Sequence, residues 1–449
     1  MVQLNSQTKP NKIAIGFILL SLISLLGGAF FGCIAALQFV YPDFARFLPF
    51  FKNRPLHVSL VIAWIFLSSI GGIYYSVPGY SKGFWQTFRM QKVHFLLFII
   101  TGICILSCYI LGIFGGREYW EYPPVFSIFI IVTWIIFTIN FFLSIKELNG
   151  RWPVYIWMWA TGIIFFIITF TESNLWLLPA IRNDPIRDVT IQWKAYGSLI
   201  GSWNMLVYGT GLFLMERISG NPQLSRSKSA FLLYLLGLVN LLFGWAHHIY
   251  VVPISPLIRN ISYLVSMSEW ILLFRIIYNW RKTVSKARKH ISLVSFRFIL
   301  TSDIWIFLNI ILALLISIPA INIYTHGTHI TVAHAMGSTI GINTMILLAS
   351  CFFIVYESGA VSGKSEFLGW IVLNVSLLFF WLMLIMAGVK KGILTSQGIS
   401  FSEIMEAISP FLKVFAFTGI GTLIGLCLLI LPLIKRIFFI LTRDKSFNS

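Results

Sequence analysis

Residues 229–251 read SAFLLYLLGLVNLLFGWAHHIYV, an apolar run that closes on two adjacent imidazoles, His247 and His248. A run of about twenty such residues matches a helix crossing the hydrocarbon core of a bilayer. Ionisable side chains inside such a run are costly and mark a pathway, a metal or a prosthetic group. The pattern recurs. Apolar blocks fall at 14–41, 55–77, 93–113, 125–147, 153–172, 191–216, 229–251, 258–279, 299–321, 327–356, 366–388 and 409–442. The expectation is an all-α polytopic membrane protein: a twelve-helix bundle forming one transmembrane domain over residues 1–449.

Composition agrees. Of 449 residues, 58% are apolar and 11% charged, with 41 Phe, 16 Trp and 16 Tyr. A soluble chain carries about 25% charged residues, so water-soluble classes are excluded. The net charge of +18 comes from 33 Lys and Arg against 15 Asp and Glu. No zinc finger, basic helix or RNA-reading motif accompanies it, which excludes nucleic acid as the partner. Basic residues instead follow alternate spans: Lys82, Arg89 and Lys92; Lys146 and Arg151; Arg217, Arg226 and Lys228; Arg281, Lys282, Lys286, Arg288 and Lys289. By the positive-inside rule these loops are cytoplasmic, and an even span number puts both termini there too. Lys390 and Lys391 are an exception. The multi-pass chain is expected in a bacterial inner membrane, among its lipids. The cysteines, Cys33, Cys104, Cys108, Cys351 and Cys427, lie in apolar runs with no CxxC or CxxCH, so the chain carries no covalent c-type heme.

Eight histidines carry the chemistry. His290 lies in a basic loop, and His94 reads as a buried polar residue at the cytoplasmic start of a span. The other six, His57, His247, His248, His326, His329 and His334, come from three separate segments and fall toward the outer half of the membrane. Imidazoles gathered at one depth point to a metal or heme centre. His334 and Met336 are two residues apart, about 200° around a helix, so they serve two different groups. Asn204 and Tyr208 are four apart and share a face. Glu269 is an acid in an apolar run, a candidate proton carrier or hydrogen-bond partner.

Five motifs carry a resemblance over nearly the whole chain: Arg54-Pro55-Leu56-His57, Gly115-Gly116-Arg117-Glu118, Trp245-Ala246-His247-His248, Thr325-His326-Gly327-Thr328-His329 and Val332-Ala333-His334. The sequence resembles the large subunit of the heme-copper oxidase superfamily, and within it the catalytic subunit of bacterial nitric oxide reductase. The resemblance implies two b-type hemes, one low-spin and one high-spin, and a non-heme metal, iron by analogy. It implies His57 as an axial ligand of the low-spin heme and His334 as the proximal ligand of the high-spin heme. His247 and His248 match ligands of the non-heme metal, and Glu269 a glutamate beside it. Glu118 matches a calcium ligand near the heme propionates, with His326 and His329 beside those propionates. Nitric oxide is the implied substrate, and a separate cytochrome c-type subunit or soluble protein the electron donor.

Three positions depart from that pattern. Asn204 stands where the family has a third metal-binding histidine, Tyr208 where it has a glutamate, and Met336 where it has the second low-spin heme ligand. An amide oxygen is a weak neutral donor. A phenol can donate a hydrogen bond or proton, and His–Met ligation raises a heme potential. The expected reaction is reduction of 2 NO to N₂O and water. Dismutation of NO to N₂ and O₂ is the alternative that the remodelled metal site favours. Oxygen reduction ranks lower, because the stretch after His247, His248-Ile249-Tyr250-Val251, lacks a tyrosine four residues on. A transporter with a midplane His/Asn site, or a heme scaffold without the second metal, are the readings from other classes.

Overall fold

The computed structural model describes residues 11–77, 84–146, 148, 150–250, 252–253, 255–258, 260–261, 263–265, 294–356 and 363–443. Eleven long helical segments run through them: α1 (Lys12–Val40), α2 (Phe50–Ser76), α3 (Phe84–Leu111), α4 (Val125–Ile145), α5 (Val154–Glu172) and α6 (Pro185–Ser219). They continue with α7 (Lys228–Phe243), α8 (Val294–Ser317), α9 (His329–Val355), α10 (Lys364–Ser396) and α11 (Phe401–Arg443). All but α6, ten in number, are long and apolar enough to cross a membrane, α7 together with the turn that continues it to Ala246. The chain is therefore an all-α polytopic membrane protein, as a bacterial inner-membrane location requires. The expected count of twelve is not reached among the described residues. Helix α6 is long enough but carries Ser198, Ser202, Asn204, Tyr208, Thr210 and four glycines over 197–211, which dilute its apolar content. The expected span at 258–279 lies mostly outside the described residues, and Glu269 with it.

Capping residues fix where the helices begin. Asn11 accepts from the Ile13 and Ala14 amides at the start of α1. Asp184 does the same for Ile186 and Arg187, with Pro185 at the first position of α6. Thr328 caps α9 through Ile330 N. Glycines let α5, α6 and α7 approach closely: a Cβ on Gly162 would lie 2.7 Å from the Ser202 carbonyl, and one on Gly201 2.7 Å from Leu241 Cα. Small residues at a crossing are how helices pack in lipid, where no hydrophobic force drives them together. Ser202 Oγ donates to the Gly162 carbonyl at 2.7 Å across that crossing.

Two departures from regular helix set up the site. Helix α7 stops at Phe243, and a 3-10 turn, Gly244–Ile249, carries His247 and His248. Within α9, an α-helical turn (His329–Met336) passes into a π-helical stretch (Gly337–Thr344) before α-geometry resumes over Met345–Val355. Thr344 Oγ1 donates to the Thr339 carbonyl at 2.8 Å inside that stretch. π-turns of this kind widen a helix locally and are frequent at functional sites.

Candidate functional site

Most of the candidate residues converge on one end of the bundle, the end closed by the 115–124 loop. Arg54, one turn before His57 on α2, binds Glu118 at 2.5 Å and Glu121 at 2.9 Å. Tyr196 on α6 donates to the Glu118 carbonyl at 2.7 Å. Arg117 makes a paired contact with Asp188 on α6, 2.6 Å at its shorter arm, and lies 4.9 Å over the Trp176 ring. Lys194 pairs with Glu172, tying the start of α6 to the end of α5. One residue earlier, Trp193 stacks on His248, with centroids 5.2 Å apart and 13° between planes, and meets His326 edge-on at 6.4 Å. His326 and His334 are each close enough to His248 to act on it electrostatically. The indole thus touches two imidazoles from separate segments, His248 and His326, and His334 lies near the first of them.

His57 is oriented from α1. Its Nδ1 donates to the Gly28 carbonyl at 2.7 Å, which leaves Nε2 as the ring's acceptor nitrogen. A metal-bound histidine is held in this way, by a carbonyl on the other ring nitrogen. The ring lies against the bare Cα of Gly32, where a Cβ would stand 2.7 Å from Nδ1. His334 sits in α9 with Nδ1 buried and without a hydrogen-bond partner among the described residues. Met336, on the other side of that helix, packs half-buried against the core. Imidazole and thioether are both heme-iron ligands, and these donors stand on α2 (His57) and α9 (His334 and Met336).

Asn204 and Tyr208 share one face of α6. Asn343, fully buried in the π-turn, donates Nδ2 to Asn204 Oδ1 at 3.2 Å. One lone pair of that amide oxygen is thereby committed and one remains. Asn343 Oδ1 has no partner among the described residues. The Tyr208 ring, one turn along α6, packs against the core. His247 belongs to the 3-10 turn, but its side chain is outside the described residues. Among the described residues no three His, Cys, Asp or Glu side chains gather as a metal site. Of the three expected ligands, Asn204 supplies an amide in place of an imidazole, and only His248 is a described histidine.

Glu118 and Glu121 face the same guanidinium, and Glu121 Oε2 is buried without a partner among the described residues. Burial pushes the Glu121 carboxyl up, against the pull of Arg54. Two carboxylates with an unspent buried oxygen suit a hard cation. His326 is held below the ordinary histidine range by burial, and so is neutral near pH 7. His329 begins α9, with Nδ1 buried and unpartnered among the described residues and Lys391 nearby. His94 lies apart from this assembly. It is fully buried, bonded through Nδ1 to the Tyr74 hydroxyl at 2.8 Å and stacked on Phe137.

Sequence reasoning missed Trp193, Glu121 and Asn343. Asn343 carried a signal of its own, an amide in an apolar run, where every polar group needs a reason.

A model of the family described as "Cytochrome C and Quinol oxidase polypeptide I" matches residues 12–421. The chain is 23% identical over 456 residues to a nitric oxide reductase subunit of Stutzerimonas stutzeri, covering 93% of each chain. It is 23% identical over 453 residues to a "Cytochrome c oxidase subunit 1 homolog" of Agrobacterium tumefaciens (strain T37), covering 89% of this chain and 78% of the relative. A heme-copper terminal oxidase dimer solved by cryo-EM shares the fold, with a TM-score of 0.74 and 13% identity over 96% of this chain and 84% of that one. With 410 of its 449 residues inside the family match, the chain belongs to the cytochrome c and quinol oxidase polypeptide I family, a heme-copper oxidase superfamily member distantly related to nitric oxide reductase.

Proposed function

We propose that this oxidoreductase is nitric oxide reductase-like and carries out 2 NO + 2 H⁺ + 2 e⁻ → N₂O + H₂O. An N–N bond forms, one N–O bond breaks, and the released oxygen leaves as water with both protons. His57 and Met336 would hold the low-spin heme, His334 the high-spin heme, and His247, His248 and Asn204 the non-heme metal, iron by analogy. Bound there, these groups supply the electrons and two adjacent binding points for NO, turning a bimolecular encounter into a preassembled one. The chain's residues do the rest. Trp193 keeps the His248 ring flat against it, and Asn343 fixes the Asn204 amide. The Tyr208 hydroxyl, one turn along α6, would donate to the oxygen that leaves. Glu269 is assigned the second proton. Glu118, with Glu121, would hold calcium beside the propionates, and His326 and His329 would cap those carboxylates. Electrons come from a separate cytochrome c-type subunit or soluble donor.

The observation that carries this reading is the contact of Trp193 with the rings of His248 and His326, with His334 near His248, on the same helix α6 that bears an amide and a phenol. The 23% identity along 93% of a nitric oxide reductase subunit supports the choice of substrate. Dismutation of NO to N₂ and O₂ is the second reading, favoured by the same amide and phenol. Anaerobic single turnover of reduced, metal-quantified protein with isotopically labelled NO separates them by mass spectrometry. Labelled N₂O, with two hemes and one non-heme metal per chain, is expected. Labelled N₂ with O₂ would move the protein to the second reading, and hemes with neither gas would sink both.

A further inference from the structure

Helix α3 packs on α4 but stands away from α1 and α2 over much of its length. A cavity of about 230 Å³ separates it from α1 and α2, with walls completed by α4, α5 and the 115–124 loop. It runs from Ser59 to Leu67 along α2, about 12 Å at the helical rise. Gly102 lines it, and a Cβ there would meet nothing within 4 Å. Ile103 also lines it and is 59% exposed, so the cavity reaches the lipid-facing flank of the bundle. Interiors are close-packed, and a void this long forfeits dispersion contacts along its whole lining unless something fills it.

The buried polar atoms of the lining that lack a partner lie at one end. Trp120 and Tyr122 sit at the loop end, 9% and 2% exposed, and the indole N–H and the phenol hydroxyl lack hydrogen-bond partners among the described residues. The hydroxyls of Ser24 and Thr133 are spent on the Leu20 and Ile130 carbonyls. An occupant therefore has one head that accepts hydrogen bonds and an apolar body. Lys52, two turns before Ser59 on α2, donates to the Ile110 carbonyl at 2.9 Å and places an ammonium at the same end.

We propose that this cavity binds one acyl chain of a bilayer phospholipid, with its ester carbonyl accepting from Trp120 and Tyr122 and its phosphate lying toward Lys52. A single chain with its acceptor at one end suits the one-ended lining. A ring with carbonyls at opposite edges would leave one of them among hydrocarbon, where an unpaired acceptor is costly.

Native mass spectrometry of the detergent-purified full chain, followed by re-addition of deuterated phosphatidylethanolamine, tests this. Wild type should retain one phospholipid per chain and re-bind the deuterated lipid after delipidation. Gly102→Leu, which fills open space and favours helix, should abolish that binding with heme content unchanged. Trp120→Phe with Tyr122→Phe keeps the shape and removes both donors, and should weaken retention about tenfold. A wild-type chain that carries no stoichiometric phospholipid overturns the proposal without any variant. So does co-purification of a quinone in its place, or lipid binding that Gly102→Leu leaves intact.

Discussion

A single methyl group tests the place of His57. The ring fits because Gly32 has no side chain, and alanine there would bring Cβ to 2.7 Å from Nδ1. Relieving that overlap costs about 1–3 kcal/mol and turns the ring off the Gly28 carbonyl. Gly32→Ala should therefore lower low-spin heme affinity by roughly tenfold or more, read as loss of that heme's absorbance with the high-spin band retained. Equal loss of both bands would mean that His57 serves neither heme specifically. Arg54 offers a second test, because its guanidinium offsets the buried carboxyl of Glu121. Arg54→Leu should destabilise the fold by ~3 kcal/mol, the cost of leaving a largely buried carboxylate unpaired. Arg54→Leu with Glu121→Leu should recover much of that in thermal unfolding, and no recovery would place the cost elsewhere. Met336 is the third. If its thioether holds the low-spin heme, Met336→His should lower the midpoint potential in a redox titration. An unchanged potential would make Met336 part of the packed core. His57 and Met336 were legible in the sequence as candidates, whereas Gly32 and Glu121 acquire meaning only from what lies across the helix interface.

Helix α9 shows where reading by pattern stops. Its apolar run, the histidine at 334 and the methionine two residues on are plain in the sequence, and so are most other helices to within a few residues. The π-turn over Gly337–Thr344 is not, because Gly337, Ser338, Thr339 and Gly341 shift no hydrophobic period that distinguishes one ring size from another. That turn delivers Asn343 to Asn204 and Thr344 to the Trp64 indole, which donates to it at 3.0 Å. The end of α7 was equally hidden: the span at 229–251 reads as one helix, yet it tightens into a 3-10 turn where the two histidines begin. Such changes answer tertiary packing, here Gly197 against Trp245, where a Cβ would lie 2.5 Å from the tryptophan Cβ. Asn343→Leu should leave both heme spectra unchanged and lower retention of the non-heme metal by about 10- to 100-fold, the usual effect of losing a group that orients a ligand. Metal quantification and the carbonyl stretch of the reduced CO adduct would report it. An unaltered stretch with full metal would mean that the π-turn serves helix packing alone.

Across the membrane, charge and chemistry lie at opposite ends. Arg89, Lys146, Arg151 and Arg217 belong to loops or helix ends away from the 115–124 loop, as the alternation of spans requires. At the histidine end the basic residues have partners: Arg54 with Glu118 and Glu121, Arg117 with Asp188, and Lys194 with Glu172. Lys390 and Lys391, which break the alternation, are employed there too, donating to the Ala407 and Gly327 carbonyls at 2.9 and 3.3 Å. Their role is to tie α10 to α11 and to the turn before His329, which no count of loop charges reveals. The positive-inside rule then puts the 115–124 end on the outer face and both termini in the cytoplasm. Thiol labelling of intact spheroplasts checks this directly, because the native cysteines all lie within spans. Arg182→Cys, in the segment between α5 and α6, should react with a membrane-impermeant maleimide from outside. Lys146→Cys, exposed at the end of α4, should react only after permeabilisation. The opposite pattern would invert the bundle and put the 115–124 end on the cytoplasmic surface.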